Sequence, residues 1–124
     1  MKRAGVSFLM VFVLMLTLGT QVFAANDGIE LPTYGGERET TQKIYGQHGY
    51  GLLRAIILPD EKHKLTVMLY EVSETNSERA VYTLTATPDN RINSVHYYLE
   101  GGKRYTIKVY SQGTGLGQLY NYIP

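Results

Sequence analysis

The sequence predicts an all-β fold: an antiparallel β-sandwich, Ig-like or jelly-roll-like, of about six to eight strands. Three observations predict it. Turn signals recur at a spacing of about ten residues in the second half of the chain. Apolar and polar residues alternate with period two, and no helical period appears after the N-terminal apolar run.

The alternation is clearest over Val95–Tyr110, VHYYLEGGKRYTIKVY. Val95, Tyr97 and Leu99 fall on one parity before the glycine pair, and Tyr105, Ile107 and Val109 on one parity after it. A two-residue Gly101-Gly102 turn would set Leu99 opposite Arg104, an inward residue against an outward one, which a half-buried sheet does not tolerate. Two solutions remain. Either a three-residue loop with a bulge pairs Leu99 with Tyr105, or the two strands belong to opposite sheets and the glycines turn the corner.

The chain begins with a segment that lies outside this pattern. Lys2 and Arg3 form a positive region, an apolar run extends from Ala4 to about Gly19, and Val22-Phe23-Ala24 supplies small residues at cleavage positions. Residues 1–24 therefore read as a cleaved secretory signal peptide, and the mature chain as secreted, extracellular and clear of the membrane. About 100 residues remain, enough for one core without staples, and the chain has no cysteine. The mature part carries ten Lys plus Arg against eleven Asp plus Glu, a balance without attraction for nucleic acid or anionic lipid. A monomer is expected.

Residues 25–42 are polar and rich in glycine and threonine, and read as a flexible N-terminal segment. The sandwich is expected over 43–124, opening with a short edge strand near Lys43–Tyr45. Tyr50–Leu58 is apolar on nearly both faces and should be a central strand. After the Pro59–Lys62 turn, Leu65, Val67 and Leu69 should point inward, opposite Thr66, Met68 and Tyr70. Ala80, Tyr82, Leu84 and Ala86 alternate in the next strand, and the Pro88-Asp89-Asn90 turn follows. A glycine-rich loop over Ser111–Gly117 precedes a last strand, Gly117–Ile123.

In the second half, Tyr98-x-x-x-Gly101-x-x-x-Tyr105-x-Ile107-x-Val109, then a glycine loop and a Gly-x-x-Tyr strand, resembles the bacterial pre-peptidase C-terminal domain. Leu65–Tyr70 is similar to the preceding strand of that family. The resemblance covers about sixty residues and implies a small sandwich. Thr66 and Met68 stand where many members carry acids, so a calcium site does not carry over. Nor does the role of a domain appended to a peptidase.

No constellation for catalysis is legible. His48, His63 and His96 share no ligand spacing, no HExxH motif or Cys/His cluster occurs, and no nucleophile elbow can be drawn. The Gly113–Gly117 loop lacks the lysine of a phosphate loop and precedes a strand. No metal, cofactor or enzymatic activity is expected.

The tyrosines carry the binding potential. All three phenylalanines lie within residues 1–24 and tryptophan is absent, so every mature aromatic is one of eleven tyrosines. Tyr98, Tyr110, Tyr120 and Tyr122 fall on outward parity. Gathered on one sheet, they would form a platform for sugar rings or a peptide, with Arg104, Lys108 and His96 beside them favouring an acidic polysaccharide. The bland alternative is that strands favour tyrosine and the rings cover polar neighbours. The expectation is a small, secreted, non-catalytic binding domain for glycan, cell envelope or a secreted protein. Its rival is an interaction, inhibitor or matrix protein acting through loops or a sheet edge.

Overall fold

The computed structural model describes residues 25–124; the expected signal peptide, 1–24, lies outside the described residues. Among the described residues nine strands form: β1 (Gly28–Thr33), β2 (Gly36–Glu39), β3 (Ile44–Tyr45), β4 (Gly49–Ile57), β5 (Leu65–Val72), β6 (Glu78–Ala86), β7 (Ile92–Leu99), β8 (Arg104–Ser111) and β9 (Gly115–Tyr120). One sheet, sheet A, has the order β1-β9-β4-β7; the other, sheet B, has β2-β8-β5-β6, with β3 also against β8. Every paired strand is antiparallel. With the two-residue β3 set aside, the remaining strands numbered along the chain read 1-8-3-6 and 2-7-4-5. That is the order of a jelly roll, two Greek keys folded face to face.

The core lies between the sheets and follows the predicted parity. Leu65, Val67 and Leu69 of β5 meet Ile107 and Val109 of β8 and Leu53, Ala55 and Ile57 of β4, all buried. Gly117 sits where the sheets come closest: a Cβ there would collide with Val109 Cγ2. The strand β4, apolar on both faces, is central as expected, between β9 and β7.

Of the two solutions for Val95–Tyr110, the chain takes the second. β7 belongs to sheet A and β8 to sheet B, so the glycines turn a corner between layers. Gly102 supplies the left-handed conformation at φ 81°, and Lys103 N donates to Glu100 O to close the turn.

Four expectations are corrected. Residues 25–42 are not a loose segment: β1 pairs with β9 from Gly28↔Tyr120 to Thr33↔Gly115, and β2 pairs with β8. The weak Ile29/Leu31 alternation was the signal; Ile29 is buried in the core and Leu31 packs against it. In β6 the register shifts opposite Leu69/Tyr70. The extra residue, Val81, packs against the core, and Ala80 is shifted to the outer face opposite Tyr70, while Tyr82 stays opposite inward Leu69 with its ring 5.5 Å from that of Tyr97 at the sandwich edge. Thr106, on the outward parity of β8, is only 3% exposed, because the segment before β3 crosses over it and Gln42 O accepts from its hydroxyl at 2.9 Å. The last strand also starts earlier than expected, at Gly115, because that glycine pairs with both Thr33 and Ile57.

Candidate functional site

Antiparallel pairing puts cross-strand partners on the same face, so the register builds the outer surface of sheet A row by row. One row is Gly28, Tyr120, Leu52 and His96; the next is Glu30, Gln118, Arg54 and Ser94; a third is Pro32, Leu116, Ile56 and Ile92. Beyond the first row, Tyr50 faces Tyr98 across β4 and β7. Continuing the β4–β9 register past Leu52↔Tyr120 brings Asn121 alongside Gly51 and position 122 alongside Tyr50.

Four tyrosines therefore gather at one end of this face. The Tyr50 and Tyr98 rings meet edge-to-face with centroids 5.6 Å apart, and Tyr120 and Tyr122 do so at 5.7 Å. Tyr50 is 60% exposed and Tyr98 44%. The surface is ridged rather than flat, because the rings of each pair stand steeply to one another.

Polar groups occupy the middle of the same face. Tyr120 donates its hydroxyl to Glu30 Oε1 at 2.6 Å, and Gln118 Nε2 donates to the same oxygen at 3.2 Å. The bond to Glu30 and then burial push the Tyr120 phenol up to about 12. Arg54, at the centre, forms no ion pair with any described residue. Its Nε and the Oε1 of its cross-strand neighbour Gln118 are buried without a hydrogen-bond partner.

The platform inferred from sequence is divided by the fold. Tyr98, Tyr120 and Tyr122 come together as expected, and His96 lies beside them on sheet A. Tyr110 does not: it is on β8, on the outer face of sheet B, between Glu37 of β2 and Thr66 of β5. Its place is taken by Tyr50, which parity alone could not single out in a strand apolar on both faces.

Arg104 and Lys108 are on sheet B too, and both are engaged within the chain. Arg104 Nη2 donates to Asn76 Oδ1 at 3.2 Å and to Ser73 O, holding the β5–β6 loop. Lys108 Nζ lies 3.2 Å from Glu39 Oε1 and 4.7 Å from the centroid of the Tyr70 ring. Its pKa is raised, first by the bond to Glu39. These two cations join elements of sheet B and do not border the tyrosine face. Among the described residues no three His, Cys, Asp or Glu side chains gather as metal ligands.

The jelly roll and its tyrosine face define a two-sheet sandwich with an aromatic, hydroxyl-rich outer surface. No family model matches the sequence, and no curated protein matches it. Among solved structures, the Yersinia pseudotuberculosis-derived mitogen is similar at a TM-score of 0.43 and 16% identity, over 79% of this chain and 85% of that one. A likeness at that level carries no argument about this protein.

Proposed function

We propose that this protein is a small, secreted, non-catalytic binding domain whose tyrosine face on sheet A stacks on glycan of the cell envelope or its surroundings. The observation that carries the reading is the gathering of Tyr50, Tyr98, Tyr120 and Tyr122 on one outer face. Tyrosine offers a large, stiff ring with little rotamer entropy to lose, and a hydroxyl at the rim. Sugar rings present apolar C–H faces on which such rings can stack. Export rests on the reading of residues 1–24, and the resemblance to the pre-peptidase C-terminal domain belongs to the same proposal.

The test is retention of the mature protein on insoluble envelope and polysaccharide fractions. Replacing Tyr50 and Tyr98 together by serine is expected to abolish retention while the unfolding midpoint shifts little, since both rings are largely exposed. Undiminished retention would place binding elsewhere.

A second reading, docking of a secreted protein, draws on the opposite end of the same face. There Pro32, Leu116, Ile56 and Ile92 form an apolar row, and Ile92 is 63% exposed. Co-purification of a single protein, lost in Ile92→Ser and kept in the tyrosine double variant, would favour it.

A further inference from the structure

A second cleft, on sheet B and separate from the tyrosine face, is built differently. It encloses about 420 Å³ and is lined by Lys62, His63, Lys64, Thr87, Pro88, Tyr110 and Gln112. That volume lies within the range of ~300–1,000 Å³ usual for small-molecule sites. One wall is an aromatic ring, since Tyr110 is 45% exposed. The rim across from it is cationic. Lys62 and Lys64 form no ion pair with any described residue.

The rim is held rigidly by Glu61. Its Oε1 accepts from Lys62 N at 3.0 Å, His63 N at 3.1 Å and His63 Nδ1 at 2.9 Å, and its Oε2 accepts from Thr114 N at 2.8 Å. The carboxylate is thereby committed to the loop, with its charge turned to these N–H groups. With Nδ1 bound to Glu61, Nε2 is the ring nitrogen of His63 left for a ligand. The loop is anchored at further points: Arg91 Nη1 donates to Glu61 O at 3.1 Å, and Ser111 Oγ donates to Lys64 O at 2.9 Å. Gly113 leaves the space that the Glu61 carboxylate fills, for a Cβ there would collide with it. Glu37, across the β2–β8 pair from Tyr110, is the acid on the far flank.

We infer that this cleft binds an acidic sugar residue, with the sugar face against Tyr110 and its anionic group between Lys62 and Lys64. An ammonium on a flexible stem serves as a point charge for a carboxylate or sulfate without demanding one geometry. The ring adds a requirement for a flat apolar surface that a free anion does not meet. The site stands independently of the sheet A reading, since none of its residues belongs to that face.

Titration calorimetry of the mature protein with polygalacturonate, dextran sulfate and dextran at fixed low salt tests the inference. Polygalacturonate or dextran sulfate is expected to bind and neutral dextran not to bind at this cleft; comparing the first two tells carboxylate from sulfate. Lys62→Gln with Lys64→Gln is expected to weaken acidic-polymer binding at least tenfold. Tyr110→Ser should do so to a similar degree, which a merely charged surface would not show. Amide shifts on titration should concentrate at residues 62–64, 87 and 110–112. Unchanged affinity in the lysine pair or in Tyr110→Ser would overturn the assignment, as would shifts confined to sheet A or failure of both acidic polymers to bind. The Tyr50/Tyr98 double variant should bind the acidic polymers like the wild type, so this site and the glycan face can fail separately.

Discussion

Tyr105 and Glu100 connect the two sheets across the glycine corner: the Tyr105 hydroxyl accepts a hydrogen bond from Glu100 N at 3.0 Å. The ring is buried in sheet B, whereas Glu100 ends the path of β7 in sheet A. A side chain thus satisfies the amide where the ladder of β7 stops, much as tyrosine corners do in other sandwiches. Burial raises the pKa of this phenol before any other cause.

Tyr105→Phe keeps the ring and removes only the acceptor. The expected loss is about 1–2 kcal/mol in urea unfolding, the cost of leaving a partly buried amide without a partner. An unchanged midpoint would mean that water replaces the hydroxyl fully.

Asn121 is the corresponding tie for the N-terminal segment. Its Nδ2 donates to Tyr45 O at 2.8 Å and Ala25 O at 3.0 Å, and its Oδ1 accepts from Asp27 N at 2.8 Å and Gln47 Nε2 at 3.0 Å. Every hydrogen-bonding site of the amide is used. Asn121→Ala is expected to cost ~2–4 kcal/mol, several bonds of about 1 kcal/mol lost together. Hydrogen exchange at the Asp27 amide should accelerate more than exchange in β5; uniform acceleration would argue against a local tie.

Acid should loosen the Pro59–Lys64 loop through Glu61. Its carboxyl is held down to about 2 from an ordinary 4.5, first by Thr114 N–H and then by the side chain and backbone of His63. A depressed folded pKa means that the contribution is complete above about 4.5 and is lost as pH falls toward 2. Glu61→Gln should therefore flatten the acid limb of the stability profile in that window. A mutant whose acid limb matches the wild type would show that other carboxylates govern it.

At the alkaline end, Tyr120 should ionise late, near 12. A raised folded pKa gives stability that is complete below the ordinary phenol value of 10.0 and lost as pH rises through about 12. Glu30→Ala removes the main cause, the acceptor at Oε1, and should bring the Tyr120 carbon resonances back toward an ordinary phenol titration. No movement would place the cause in burial instead.

By itself, the sequence determined the fold class and most of the inward parity. Period-two alternation in β5, β7 and β8 has one reading, because a slip of one residue would move Leu65, Val67 and Leu69 or Ile107 and Val109 into water. The outward set Tyr98, Tyr120 and Tyr122 was legible for the same reason. What tertiary structure decided is which sheet each outward face belongs to. Alternation states in or out, but the sheet follows from long-range pairing, and β7 and β8, neighbours in sequence, lie in opposite layers. That separation parted Tyr110, Arg104 and Lys108 from Tyr98 and brought in Tyr50 from β4. The weakly apolar stretch before β3 became two strands because β9 and β8 offer it open edges to pair with. Thr106 was buried by the same stretch crossing over it. Each of these outcomes rests on contacts between residues far apart in the chain, whose closure no local pattern records.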